Sequence, residues 1–576
     1  MLRVHSSILT LLLTLTVLAG CLGDEPAPVP VVEEGPLPVP DYVPVDAANL
    51  TKKTFDVLPR TVERIQASID GIDLYLEVHL PDTDEPVPTI LHSSPYNALE
   101  RVPGGYPDVR YPYKSMVEAF VPRGYAVVVA DVRGFGESDG CVEVWGKNEQ
   151  QDQYDLVQWI AAQPWSDGKV AMEGASYPGT TPVEAAVMAP PNLTTVVVVA
   201  GLTDPYYDWH YGGVPNGESG PVGSPAAYHA IGAVSPVDAT GGADWLEAAG
   251  ASFCDAVPFS LEAFSSNGVY TAFYDERNFS ARAKNVQVPV LYTEGFRDSN
   301  VKPSQILGWF NALDVPKKAY LGQWAHQYPV RDDWKDILHA WFDHHLKGID
   351  NGVMDGPTVE VVTNKDTWRG AHVFPDDEAA RGATYLVASG AVEKGRLSAE
   401  VPDEGAMHYT AERVALPVAV GPGVKEGWFL KFEGDELDED LYLSGVAFLR
   451  FTATLEGGTN TYFRAQLYEV EEDGNVTRIV FGGLNAALRD SVREYKPAPE
   501  GEQVDYTLAF QPREYIVEAG SRLRLVIDTY DIYDSTTDDA LDNVQVTIHM
   551  GGDKASRLDL PVIVGRPDVA LPWKAE

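Results

Sequence analysis

Ser176 lies in Gly174-Ala175-Ser176-Tyr177-Pro178-Gly179, between the apolar run Val170-Ala171-Met172 and a helix-forming stretch. A serine among small residues at a strand-to-helix junction is what a nucleophile turn requires. The turn is too tight for large side chains, and it lifts the hydroxyl clear of the backbone. The amide of Tyr177 then faces the place where a tetrahedral oxyanion forms. A serine hydroxyl is a weak nucleophile at neutral pH and needs a base, which an acid in turn orients. In an open α/β sheet the chain order is Ser, then Asp or Glu, then His. Asp298 follows a predicted strand over 288–293, and His326 follows one over 318–322. In a parallel sheet both stand past strand ends on the edge that carries Ser176.

The chain has 12 histidines, so position selects His326. His344 and His345 fall inside a predicted helix over 334–346, and His210 suits a pocket wall better than a base. An oxyanion needs a second donor. It is expected in the loop after the strand ending at Ser94, where Tyr96 follows the rigid Pro95. The Tyr96 phenol either reaches the site or packs beneath an overlying segment. This chemistry calls for no cofactor and no metal; the acidic stretch 528–543 lacks the ligand spacing of a calcium loop.

The elements that must position these groups alternate. Apolar strands over 88–94, 126–130, 170–173, 195–200, 288–293 and 318–322 are separated by helical patterns over 113–121, 151–162, 180–188, 304–312 and 334–346. Strands apolar on both faces, interleaved with helices, predict a parallel sheet covered on both sides. Between about 203 and 285 the alternation stops, and Gly, Pro and aromatic residues dominate. An insertion at that point lies over the carboxyl ends of the strands, as a cap. Asp204, Tyr207, Asp208, Trp209 and His210, at its start, are candidates to line the substrate pocket. After Gly352, short strand-like runs separated by turn residues predict an all-β sandwich.

The ends and the composition narrow the setting. Arg3, the apolar run 8–19 and Leu18-Ala19-Gly20-Cys21 read as an export signal too short to span a bilayer. Residues 22–55 begin with a proline- and acid-rich tether. The chain therefore divides into a signal (1–21), a tether (22–55), an α/β domain (56–352) and a β-domain (353–576). A formal net charge of −42 excludes nucleic acid as a partner, because phosphates would be repelled. Dense carboxylates instead suit a surface that stays hydrated in high salt. Cys141 and Cys254 either pair, pinning cap to core, or remain buried thiols. Association of identical chains is left open.

Several stretches resemble the Xaa-Pro dipeptidyl-peptidase and cocaine-esterase family of α/β-hydrolases, from about residue 62 to the end. They are Ser94-Pro95-Tyr96, Asp131-Val132-Arg133-Gly134-Phe135-Gly136-Glu137-Ser138-Asp139-Gly140, Gln163-Pro164-Trp165 and Gly174 to Gly179. Asp298-Ser299-Asn300-Val301-Lys302-Pro303, Gly322-Gln323-Trp324-Ala325-His326 and Tyr206-Tyr207-Asp208-Trp209 are similar to the peptidase branch. Leu18-Ala19-Gly20-Cys21 resembles a lipobox, with Cys21 as the lipidated residue. The resemblance implies an α/β-hydrolase fold with an inserted helical cap and a C-terminal jelly-roll. It also implies Ser176 as nucleophile, Asp298 as orienting acid, His326 as base, and Tyr96 and Tyr177 as oxyanion donors. The activity it implies is release of Xaa-Pro dipeptides from peptide amino ends by an exported, lipid-anchored enzyme. Asp204, Asp208 and Glu218 would be candidates for holding the substrate ammonium. Ser299 stands where the peptidase branch commonly has tryptophan, and the chain is near the esterases in length. An esterase or amidase acting on small acyl compounds is therefore the alternative. A surface lipoprotein that binds peptide or glycan without catalysis is a more distant one.

Overall fold

The computed structural model describes residues 41–101, 113–215, 268–375, 379–390, 393–411, 427–529, 543–552 and 555–563. Cys21, the tether before residue 41, Glu218, Cys254 and most of the expected cap lie outside the described residues.

Among the described residues ten strands form the first sheet. These are β1 (Thr61–Gln66), β2 (Asp73–His79), β3 (Val87–Ser94), β4 (Ala126–Asp131), β5 (Ser166–Ala175), β6 (Leu193–Val199), β7 (Val290–Gly295), β8 (Lys317–Gly322), β9 (Val359–Val362) and β10 (Trp368–Ala371). Their order is β1-β2-β4-β3-β5-β6-β7-β8-β9-β10. Every pairing from β4 to β9 is parallel, and the strands at each end are antiparallel. Parallel strands are buried on both faces, which is why β3 and β4 bury every residue, polar Thr89, His92 and Asp131 included. Two separate apolar clusters cover the two faces of this sheet. One includes α1 (Lys147–Ala161) and α2 (Tyr177–Met188); the other includes α4 (Trp334–Lys347). A short α3 (Pro205–Trp209) opens the cap segment, with Asp204 as its N-cap.

The structure departs from the sequence reading in two places. The predicted helix over 304–312 is regular only over Gln305–Gly308, because Trp309 and Phe310 turn into the core and bury fully. Past residue 352 the chain adds β9 and β10 to the hydrolase sheet, and the second sheet begins at Ala380. A four-residue apolar run such as Val359–Val362 carries the same pattern in either sheet, so its partner is set by tertiary pairing.

The second sheet has thirteen strands among the described residues, from Ala380–Ala388 to Arg557–Val562, with its own apolar core. Its strands alternate as a sandwich requires: Ala406–Ala411 buries Met407, Tyr409 and Ala411. This β-domain also braces the loops of the first. Tyr211 donates its hydroxyl to the Phe510 carbonyl at 2.7 Å, the Ser304 amide donates to Gln511 at 3.1 Å, and Gln323 donates to the Glu514 carbonyl at 2.7 Å. Arg369 on β10 grips buried Glu514 through two bonds of 2.6 and 3.1 Å.

Candidate active site

Ser176 stands at the end of β5, directly before α2, with φ 68° and ψ −130°. L-residues rarely adopt this conformation, and it costs on the order of 1–3 kcal/mol. Its surroundings hold it there. The Ser176 amide donates to the Val199 carbonyl at 2.9 Å, and its own carbonyl receives the Gly179 amide at 2.9 Å. The two glycines of the motif are required by close approach. A Cβ on Gly174 would lie 2.2 Å from the Pro178 carbonyl oxygen, and one on Gly179 would lie 2.5 Å from that of Val199. Tyr177 is the first residue of α2, so its amide heads the helix at the dipole end that favours negative charge.

Asp298 and His326 follow β7 and β8. Strand spacing puts β8 three places from β5, roughly 14 Å away, so the later loops must curve back. They are knitted together to do so: the Phe296 amide donates to Gly322, and the Arg297 amide donates to Trp324 at 3.0 Å. His326 Nδ1 and Asp298 Oδ2 are 2.6 Å apart. Asp298 Oδ1 accepts the Asn300 and Val301 amides at 2.8 and 2.9 Å, and its carboxylate is buried. An aspartate so held fixes the imidazole with Nε2 as its basic nitrogen. Two residues beyond the histidine, Tyr328 donates to Glu173 Oε1 at 2.5 Å. That bond ties the histidine loop to the nucleophile strand.

The Tyr96 ring meets the Tyr177 ring edge-on, with centroids 6.4 Å apart. The proposed pocket residues divide. Asp208 is buried and accepts the Lys302 amide at 2.8 Å, with the buried Lys302 ammonium 3.9 Å away. Burial raises its carboxyl pKa and Lys302 opposes the rise. Asp204 accepts the Tyr206 amide at 3.1 Å as a helix cap, and burial pushes its carboxyl up to about 7. His210 is buried against Tyr206 and Tyr274, and burial pulls its pKa down to about 3, so it is neutral. Trp209 is buried and stacks on Trp145, whereas Tyr207 is substantially exposed. Cys141 is disulfide-bonded.

Three features were not read from the sequence. Lys302 supports the acid loop by donating to the Ser299 carbonyl at 2.8 Å. Tyr328 bridges to Glu173. Glu294, at the end of β7, is a buried acid whose pKa is pushed well up by burial and by Asp298 beside it. Only the position of Glu294, one residue from a strand end, offered any signal.

Comparison with known proteins agrees with this architecture. Residues 70–328 match the model described as X-Pro dipeptidyl-peptidase (S15 family), and 351–559 match that of the X-Pro dipeptidyl-peptidase C-terminal non-catalytic domain. A Bacillus anthracis protein provisionally named Xaa-Pro dipeptidyl-peptidase is 28% identical over 495 residues, 80% of each chain. A Mycobacterium bovis protein provisionally named a serine esterase is 26% identical over 595 residues, covering 86% of this chain and 93% of its own. A CocE/NonD family hydrolase from Staphylococcus aureus superposes with a TM-score of 0.69 at 18% identity, covering 87% of this chain and 93% of its own. With both family models matched in order along one α/β-hydrolase and β-domain body, the chain belongs to the S15 X-Pro dipeptidyl-peptidase family and is a serine hydrolase.

Proposed function

We propose that Ser176, His326 and Asp298 form a catalytic triad that releases Xaa-Pro dipeptides from the amino ends of peptides. The observation that carries this is the 2.6 Å contact between His326 Nδ1 and Asp298 Oδ2, at the same sheet edge as the strained Ser176 turn. Ser176 Oγ attacks the carbonyl carbon while His326 Nε2 takes its proton. The Tyr177 amide and the Tyr96 phenol receive the oxyanion. His326 passes the proton to the leaving amine, and a water then repeats the sequence to free the acid and restore Ser176. An Xaa-Pro 4-nitroanilide is hydrolysed by the wild type and not by Ser176→Ala; turnover of esters alone would remove the peptidase assignment.

One observation favours a second reading, an esterase of small acyl compounds. Asp208 is engaged by Lys302 and Asp204 by its helix amide, so neither is a ready partner for a substrate ammonium. The ratio of kcat/KM for the 4-nitroanilide with a free amino end to that for its N-acetylated form decides between them. A peptidase of this kind loses at least about a hundredfold on acetylation, whereas an esterase is indifferent.

The export signal and Cys21 support a lipid-anchored enzyme outside the cytoplasm. Expressed in full, the protein sediments with membranes, and Cys21→Ala releases it; sedimentation unaltered by that change would contradict the anchor.

A further inference from the structure

We propose that Glu149 is a positioning residue for this reaction, holding Tyr177 so that the amide after the nucleophile meets the oxyanion. The inference rests on the triad reading given above and adds a residue to it.

Glu149 lies in the first turn of α1 and is fully buried. Its Oε2 accepts two hydrogen bonds, from the Tyr177 hydroxyl at 2.9 Å and from the Trp145 amide at 2.8 Å. The second bond secures an unusual turn. Val144 and Trp145 are consecutive non-glycine residues in the left-handed region, with φ 48° and 62°. Each costs on the order of 1–3 kcal/mol and persists only where the surroundings over-determine it. Arg277 supplies the rest of that constraint, donating to the Val144 and Glu143 carbonyls at 2.9 Å each. The turn delivers the Trp145 ring onto the Tyr177 ring, with centroids 4.7 Å apart, and it also stacks on Trp209 of the cap entrance at 5.9 Å. Phe135 and Tyr96 meet the Tyr177 ring edge-on at 6.1 and 6.4 Å. Tyr177 is thus boxed by rings and fixed at its tip by one carboxyl. Its backbone amide is the group that a shift of the ring would swing.

The charge state matters as much as the contact. Glu143 and Asp152 face Glu149 from its own segment, Glu184 from α2, and Arg277 from the helix Ala272–Arg277. Asp152 is occupied by Arg133 at 2.7 and 2.8 Å. Burial first, then the negative Glu143 and Asp152, raise the Glu149 pKa to about 8 against the pull of its two donors. Below that value the Glu149 carboxyl is neutral and adds no charge of its own beneath Tyr177. Above it, a buried negative charge lies under the oxyanion site and the rate falls.

The test is steady-state kinetics from pH 5 to 10 on a short-chain 4-nitrophenyl ester and an Xaa-Pro 4-nitroanilide, using whichever the wild type turns over. Glu149→Leu and Tyr177→Phe each lower kcat roughly tenfold, with KM within about twofold, a fraction of the ~100-fold or more that deleting an oxyanion donor costs. The double variant is no worse than the poorer single one, since both break one contact. Glu149→Gln accepts the same two bonds, keeps kcat at pH 7 within about threefold and loses the alkaline decline near pH 8. Wild-type kcat in both Glu149→Leu and Tyr177→Phe, a loss confined to KM, or an alkaline limb that survives in Glu149→Gln overturns the proposal. Should Glu149→Leu not fold, Tyr177→Phe, which deletes one hydroxyl, carries the test. Activity that persists in Ser176→Ala would instead overturn the triad, so the two failures are distinct.

Discussion

Glu514 and Asp528 of the β-domain each meet an arginine head-on: Arg369 on Glu514, and Arg464 on Asp528 at 2.7 and 2.6 Å. Beneath the hydrolase site, Glu149, Glu184 and Glu294 are as deeply buried, yet among the described residues none forms an ion pair with lysine or arginine. A cation beside a buried carboxylate favours its charged form and locks geometry. A carboxyl without one keeps its proton, because desolvation disfavours the charged form. The β-domain uses the first device where Glu514 meets the hydrolase sheet and where Asp528 faces Arg464 on the neighbouring strand. The hydrolase uses the second where extra negative charge would compete with Asp298 for His326, or with an oxyanion at Tyr177. Glu294 shows this most directly: burial, and Asp298 beside it, push its carboxyl pKa well up, so a second negative charge in that corner is disfavoured.

The comparison breaks most visibly when the site loses its serine or histidine and the contact between the two sheets loses its arginine. Ser176→Ala or His326→Ala lowers kcat/KM by roughly 10⁴- to 10⁶-fold, with unfolding unchanged to within about 1 kcal/mol. Arg369→Met does the reverse. It strands the Glu514 carboxylate, which Tyr442 also engages at 2.5 Å, and destabilises by about 3–5 kcal/mol in thermal or urea unfolding. At temperatures where the variant stays folded, its kcat is near wild type. Equal effects of the two substitutions on activity would show that the β-domain participates in catalysis.

The pH dependence of stability separates the two devices further. An unfolded glutamate titrates near 4.5, while folded Glu149 titrates at about 8. Between those values the unfolded chain has released a proton that the folded chain retains, so raising the pH favours unfolding until both are ionised. Stability falls through this window and levels above about 8, and Glu149→Gln flattens the slope. Asp343 behaves oppositely. Burial opposes its ionisation, but bonds from His339, Tyr125 and the Thr51 amide outweigh it and hold the pKa at about 2. Its contribution is present above the ordinary carboxyl value near 4 and is lost as the pH falls through about 2. Chemical denaturation across pH 2 to 9 with Glu149→Gln and Asp343→Asn distinguishes the two slopes.

Which of these features the sequence could reveal follows from their range along the chain. The Ser176 turn is local, so its small residues announce it. Asp298 and His326 are selected by strand ends, which a parallel sheet places on one edge whatever the loops do. Glu149 is one acidic residue in a polar helical turn, and only the fold brings its carboxyl under Tyr177. Lys302 and Asp208 are far apart in sequence, so their pairing was invisible, and Asp208 read as a free carboxylate for substrate. β9 and β10 were indistinguishable from β-domain strands because short apolar runs carry no record of their neighbours.

Backbone strain divides the molecule along the same line, and it supports the finest test. In the hydrolase region Val144, Trp145, Ser176, Ala189 and Ala200 have positive φ, residue types that bear it badly, beside Asp366 in the β9–β10 turn, which tolerates it. In the described part of the β-domain the non-glycine case is Asn543, a residue that tolerates it, and the others are glycines. Strain at Ser176 holds its hydroxyl at the end of β5, so giving up the hydroxyl should recover it. Ser176→Gly relieves on the order of 1–3 kcal/mol of backbone strain. The greater freedom of glycine in the unfolded chain takes back about 0.4–1 kcal/mol. A net gain of roughly 1 kcal/mol is expected, seen as a raised Tm in an inactive protein. Ser176→Ala, which keeps a Cβ at the same φ, gains nothing comparable. Equal Tm values for the two variants would place the origin of the strain outside residue 176.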